Sequence, residues 1–437
     1  MQTSENFERQ LWKYALPSMF SQLLNSLFII IDGYFVGQNM GDAGLAAINV
    51  AWPLVALVQA VSLAIGIGGA VRMSIDMGRG DKEAAQQERV HALVMLAIAT
   101  VVMGVGLYLC YPYVLPHLGA NEELYPLTAE YIRVVCMCSA CQVFTTGLLP
   151  LLRGDGRTIT AMSLTVMGIL SNIVLDWFCI QHLRWGMMGA ALATAVSQAA
   201  CGIPAFILFV KGQEKTKNFR LEPKRMFGIL RNGVSTFGLS ISDSILILMS
   251  NLQAMHYGGT EGVAVYAVLS YVLGSVIPLV SGVGNGIQPL LSKAYGAGDR
   301  KAVDNLRRKG AALAVSASLV CSVIAWLLRA DLPLIFGASS EAAAVVSKAM
   351  WTLVAAFPFM AIVRFLCSYF CALGRPVESS ILAYGEPLGA QPLFLFVLPL
   401  FLGLQGVWIS YPLAMILMSV VSMLLMKASN RKMTQEA

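Results

Sequence analysis

The chain has 437 residues, of which 57% are hydrophobic and only 12% charged, and its formal net charge is +6. About a quarter of the residues in a soluble domain are charged, so the composition argues against an ordinary soluble enzyme, and the abundance of apolar surface excludes a disordered chain. The basic excess does not call for nucleic acid as a partner, because Lys and Arg collect in the cytoplasmic loops of membrane proteins.

A spanning helix needs about 20 mainly apolar residues, and such segments recur along the whole chain. The first six lie near 12–36, 45–71, 91–111, 129–151, 158–181 and 187–210. A second six lie near 228–256, 262–290, 310–328, 346–372, 379–402 and 406–426. No connection between them is long enough for an aqueous domain, and the longest polar one runs from Lys211 to Arg231. The expected fold class is an all-α integral membrane protein of twelve helices. Its expected parts are one lobe over 1–211, a linker over 212–227 and a second lobe over 228–437. Ahead of the first span, residues 1–14 carry both charge signs. The apolar stretch that follows is too long for a signal-peptide core and has no evident cleavage site.

Orientation follows from the basic residues. With the N-terminus in the cytoplasm, the inward segments hold Arg9, Lys13, the run from Arg72 to Arg89, Arg153, Arg157, the run from Lys211 to Arg231, the run from Lys293 to Lys309, Arg375, and Lys427 to Lys432. Only Arg184 and Arg329 fall in outward loops, and Arg133, Lys348 and Arg364 lie within apolar segments. This asymmetry predicts an even number of spans and cytoplasmic termini in a cell membrane. The cysteines all lie in apolar stretches. The pair Cys138-Ser-Ala-Cys141 has no second pair or nearby histidine, so it reads as small residues packing between helices. His91, His117, His182 and His256 have no metal-ligand spacing.

The chain also partly matches itself at a shift of 218 residues. Gly44 to Val50 falls on Gly262 to Val268, Gly66 and Gly68 on Gly284 and Gly286, and Gly78-Arg-Gly-Asp81 on Gly296-Ala-Gly-Asp299. Arg89 falls on Arg307, Gly119-Ala120 on Gly337-Ala338, and Gly156-Arg157 on Gly374-Arg375. With one residue of slip, Gly186 and Gly189 fall on Gly403 and Gly406. Matches kept in register over this length point to a duplication. The halves share orientation, which makes it a parallel repeat about an axis along the membrane normal. Transporters built from repeats place substrate near the midplane between them.

These residues resemble the multidrug and toxic compound extrusion (MATE) family over nearly the whole chain, about 11–427. The matching pieces are Pro17 followed by Asp32-Gly-Tyr-Phe-Val-Gly37, Leu45-Ala-Ala47, Arg153-Gly-Asp-Gly-Arg157, and Gly284-Asn-Gly-Ile-Gln-Pro289 with Tyr295-Gly-Ala-Gly298. The resemblance implies two six-helix lobes in a V around a central cavity. It also implies export of amphipathic, often cationic, compounds in exchange for Na+ or H+, with no other cofactor. Drugs or metabolites and the lipid bilayer are the partners expected, and a monomer is the expected unit.

Ionisable groups inside spans are expensive and are functional candidates by default. Asp32 lies 19 residues beyond Lys13, and Asp176 lies 19 residues beyond Arg157. At 1.5 Å per residue both sit about 28 Å from the inner helix ends, at one level in the outer half. Asn172 is one turn from Asp176 on the same helix face, and Thr194 on the next helix reaches a similar depth. Two carboxylates, an amide and a hydroxyl suit a hard cation with oxygen ligands or a shared proton. The bland alternative has both acids touching the outer headgroups. DinF-like MATE proteins carry an aspartate on the first helix, Asn-x3-Asp on the fifth and a threonine on the sixth, and Asp32, Asn172, Asp176 and Thr194 match that pattern.

In the second half, Asp243 lies 12 residues beyond Arg231, Arg364 lies 11 before Arg375, and Glu386 lies 11 after it. All three are expected about 17 Å from the inner ends, near mid-membrane. They form a candidate substrate-cavity cluster in which Arg364 neutralises one acid. A structural ion pair or a snorkelling Arg364 are the alternatives. Arg133, at the level of Asp32 and Asp176, either pairs with one of them or faces the outer interface. Two other functions remain open. A lipid-linked saccharide flippase of the same superfamily would need a basic cavity, whereas the mid-span charges are mainly acidic. A membrane-embedded enzyme is disfavoured because the spans hold no HExxH, Ser/His/Asp arrangement, P-loop or cofactor box.

Overall fold

The computed structural model describes residues 4–211, 220–332 and 340–435. Nearly all are helical, and no strand occurs among the described residues. Apolar surroundings require each backbone N–H and C=O to pair within its own segment, and a helix does this in an open chain. The first half supplies α1 (Glu8–Gly41), α2 (Ala43–Gly78), α3 (Lys82–His117), α4 (Leu124–Met137 with Ser139–Gly154), α5 (Thr158–His182) and α6 (Gly186–Lys211). The second supplies α7 (Pro223–Gly259), α8 (Glu261–Gly296), α9 (Arg300–Leu327), α10 (Ala344–Ala372), α11 (Pro376–Leu402) and α12 (Leu404–Ser429). Eleven of these are single helices long and apolar enough to cross a membrane, and α4 makes twelve as a pair bent by 61°. The bend falls at Cys138, so the Cys-x-x-Cys pair sits at a helix break. None of the cysteines forms a disulfide.

The duplication seen in the sequence is also present in the backbone. The turn between α1 and α2 depends on Gly41 at φ 60°, and the turn between α7 and α8 on Gly259 at φ 57°. The same pairing holds for Gly80 and Gly298 (φ 81° and 72°) and for Gly156 and Gly374 (φ 83° and 66°). Gly186 and Gly403 (φ 57° and 56°) repeat with the one-residue slip. A Cβ is unwelcome in this left-handed region, so each turn keeps its glycine. Gly337, the counterpart of Gly119, lies outside the described residues.

Two compact units emerge, and their limits cross those expected at 211 and 228. One unit comprises Phe20–Ser240 and Ser292–Asp299; the other comprises Met1–Met19, Ile241–Leu291 and Arg300–Ala437. The start of α7 thus belongs with the first half and the start of α1 with the second. Glycine contacts explain this. A Cβ on Gly68 of α2 would lie 2.1 Å from the Ile229 carbonyl oxygen, and one on Gly233 of α7 would lie 2.2 Å from that of Ala64. In the other unit, a Cβ on Gly286 of α8 would lie 2.6 Å from the Tyr14 carbonyl oxygen, and one on Gly282 would lie 2.8 Å from Met19 Cα. Each pair of helices therefore packs backbone against backbone, as small residues allow in membranes. Within the first unit, the ends of α2 and α8 touch reciprocally. A Cβ on Gly78 would meet the Lys293 carbonyl oxygen at 2.1 Å, and one on Gly296 would meet that of Ile75 at 2.0 Å.

Candidate functional site

In the first unit, α1, α4, α5 and α6 bring together Asp32, Tyr131, Asn172, Asp176 and Thr194. Asp176 is 0% exposed and Asn172 is 1% exposed. Their spacing places both on one face of α5, as the sequence requires, and α5 then widens into a π-helical segment, Trp177–His182. Such segments recur at functional sites. The Asp32 and Asp176 carboxyls come within hydrogen-bonding reach of each other. Neither can donate while both are ionised. Oδ1 of Asp32, both carboxyl oxygens of Asp176 and both polar atoms of the Asn172 amide are buried without a protein hydrogen-bond partner. Buried polar atoms are paired in the great majority of cases, so this concentration of orphaned oxygens defines the site.

Tyr131 completes the cluster and was not singled out from the sequence. Its hydroxyl lies within reach of the Thr194 hydroxyl and in the electrostatic field of both carboxylates, and the residue is buried. The only sequence signal was a tyrosine about two helical turns before the Cys-x-x-Cys break. Arg133, two residues further on, is exposed and turns elsewhere. Its Nε donates to the Tyr111 hydroxyl at 2.8 Å, and its guanidinium lies 6.0 Å from the centre of that ring. Among the described residues, no arginine acts on either acid. Two carboxylates about 4 Å apart repel by roughly 4 kcal/mol at an effective dielectric of 20, which is several times thermal energy. Chemically, two carboxylates beside an amide and a hydroxyl can accept positive charge, as a shared proton or as a hard cation with oxygen ligands.

The second unit treats its buried acid differently. Arg364 on α10 and Glu386 on α11 are 3% and 1% exposed and form an ion pair, Nη2 to Oε1, at 3.5 Å. Glu386 opens a second π-helical segment, Glu386–Ala390. Pro387 has no N–H to give to the Ala383 carbonyl four residues back, and Ser242 of α7 donates its hydroxyl to that oxygen at 3.1 Å. Asp243 is the next residue on α7, but its side chain falls outside the described residues.

A further buried network lies at the Arg-rich ends of the first unit. Glu88, with no exposed side-chain surface, accepts two hydrogen bonds from Arg72 at 2.8 Å each and one from Arg225 at 2.9 Å. His91 Nδ1 donates to the Gln87 carbonyl at 2.7 Å, and its Nε2 accepts the Glu222 N–H at 2.8 Å. The sequence reading counted these arginines as loop charges. In the structure Arg72 ties α2 to α3 and Arg225 ties the start of α7 to α3, both through Glu88.

The MatE family model matches residues 17–178 and 238–383. The chain belongs to this family, the MATE transporters. It is also similar to the multidrug export protein MepA of Staphylococcus haemolyticus (strain JCSC1435), 21% identical over 96% of this chain and 93% of that protein. MepA of Staphylococcus aureus (strain MRSA252) is 26% identical over 64% of this chain and 62% of its own length. Among solved structures, the outward-facing conformation of a multidrug resistance MATE family transporter of the MOP superfamily shares the fold, with a TM-score of 0.93 at 24% identity. It covers 98% of this chain and 97% of that one. The two-lobe, twelve-helix MATE architecture is therefore that of this chain.

Proposed function

We propose that this MATE transporter is a secondary active multidrug efflux antiporter of the cell membrane, with both termini cytoplasmic. It exports amphipathic, cationic small molecules in exchange for H+ or Na+. The observation that carries this reading is the pairing of half-buried Asp32 with fully buried Asp176, with no cationic side chain beside them among the described residues. The names of the MepA relatives support multidrug export, and the acidic mid-span charge supports a cationic cargo over an anionic one.

The residues work as follows in this reading. The two carboxylates take up one positive charge because their mutual repulsion in a poorly hydrated site exceeds the cost of binding it. Asn172 and Thr194 supply neutral oxygens to a metal ion, and Tyr131 supplies a hydroxyl that either donates to a carboxylate or accepts. Occupancy removes a net charge from the junction of α1, α4, α5 and α6 and so shifts the preferred packing of those helices. Cargo and ion thereby bias one two-state equilibrium in opposite directions, which is all that exchange requires. The unit expected to do this is a monomer in the bilayer.

The test is efflux of a fluorescent cation from vesicles carrying the purified protein, with H+ and Na+ gradients imposed separately. One of the gradients drives efflux in wild type, and the Asp32→Asn and Asp176→Asn variants lose the driven component. Undiminished gradient-driven efflux in both variants rejects the site.

A further inference from the structure

The helices α5 and α11 are the fifth of each half, and each buries one acid beside a π-helical segment, yet the two acids have opposite surroundings. Asp176 has a second carboxylate and neutral polar groups around it. Glu386 has a guanidinium at 3.5 Å. We propose that Arg364 is the resident cation of the second unit. It keeps Glu386 charged within the helix bundle, so Glu386 is balanced without drawing an ion from the medium, and ion exchange is left to Asp32 and Asp176. The proposal rests on the exchange role given above to those two acids.

The chemistry is direct. A carboxylate held out of water stays ionised only against a compensating charge, and otherwise takes up a proton or a cation. A guanidinium is never deprotonated in a protein, so it provides that compensation at every pH the cell meets. With 3% and 1% of their surface exposed, neither side chain presents an accessible face to a cargo molecule. The surroundings hold the pair in register. One turn from Arg364, the Cys367 thiol donates to the Ser379 carbonyl at 3.4 Å, and the Ser379 hydroxyl donates back to the Cys367 carbonyl at 2.9 Å. These two contacts fix α10 against α11, and Ser242 fixes α7 to the carbonyl that Pro387 cannot serve.

Dicyclohexylcarbodiimide reports the charge state of Glu386 separately from transport. It reacts with a protonated carboxyl in apolar surroundings: the acid oxygen adds to the central carbon of N=C=N, the acid proton moves to nitrogen, and the adduct rearranges to a stable N-acylurea. Labelling of the full chain in vesicles, read by peptide mass spectrometry, is expected to be at least about tenfold greater at Glu386 in Arg364→Met than in wild type. In Arg364→Lys it is expected to return to the wild-type value. Equal labelling of Glu386 in wild type and Arg364→Met overturns the proposal. The double variant Arg364→Met with Glu386→Gln guards against misfolding of the single one. It is expected to keep efflux within about threefold of wild type, and a loss of tenfold or more shows that the charges themselves take part in transport and also overturns the proposal. Failure of the Asp32 and Asp176 reading is seen in the efflux of those variants and leaves the Glu386 labelling readable.

Discussion

The fifth helix of each half buries an acid, but one is left to find its positive charge elsewhere and the other carries it on a neighbouring helix. Asp176 shares its site with Asp32 and with polar atoms that have no protein partner; Glu386 is matched to Arg364. Duplication produced two similar scaffolds, down to the paired left-handed glycines. On the proposals made above, divergence of a few side chains then gave one scaffold an exchangeable charge and the other a permanent one. In that account a buried acid is not by itself a transport site, and its partner decides its role.

Variants can break this comparison at several points. Removing a partner from a buried ion pair strands its mate, so Arg364→Met is expected to lower stability by about 3–5 kcal/mol, measured as thermal unfolding of the detergent-purified protein. Asp176→Asn removes a charge that has no partner side chain and is expected to leave the unfolding temperature unchanged or raised. The same Asp176→Asn variant is expected to cut gradient-driven efflux by about 100-fold, measured in vesicles. A fall in stability there, or none in Arg364→Met, erases the contrast between the units. Gly68→Val tests the glycine seam of the first unit. A side chain forced against the Ile229 carbonyl is expected to cost roughly 3 kcal/mol in the same unfolding assay, whereas Gly106→Ala, with nothing within 4 Å of the new Cβ, is expected to be neutral or slightly stabilising.

Smaller effects sharpen the boundary of the site. Tyr131→Phe removes one hydroxyl and keeps the ring, and is expected to reduce coupled efflux up to about tenfold, the scale of one buried hydrogen bond. Arg133→Ala removes an exposed side chain whose partner is Tyr111 and is expected to leave efflux within about twofold of wild type, since surface interactions of this kind contribute little.

Most of the spans were readable in advance, because long apolar runs and basic loops follow directly from the bilayer as solvent. Asp32, Asn172, Asp176 and Thr194 were readable for a related reason: helical rise converts residue counts into depth, and ionisable groups at depth are rare. Tyr131 was not, because α4 bends by 61° at Cys138 and the register carried back from Arg153 fails across the break. The direction of Arg133 was open on depth alone, since depth says nothing about which face a side chain takes. The pairing of Arg364 with Glu386 was within reach because both were counted from Arg375. The placement of residues 1–19 with the second unit, and of the start of α7 with the first, depends on backbone contacts at Gly68, Gly233, Gly282 and Gly286. A glycine in a sequence announces a close approach without naming its partner. The network around Glu88 was missed for the opposite reason, because charges near a helix end read as solvated until burial shows otherwise.

The central claim is that one positive ion and the exported molecule compete through Asp32 and Asp176. The most direct measurement is the affinity of purified protein for a fluorescent cation, titrated over a range of pH and of Na+ concentration. Wild type is expected to bind the cation at least tenfold more weakly when one of the two ions is raised to saturation, and the Asp32→Asn/Asp176→Asn double variant is expected to bind it with no dependence on either. The same ion dependence in the double variant as in wild type would contradict the account.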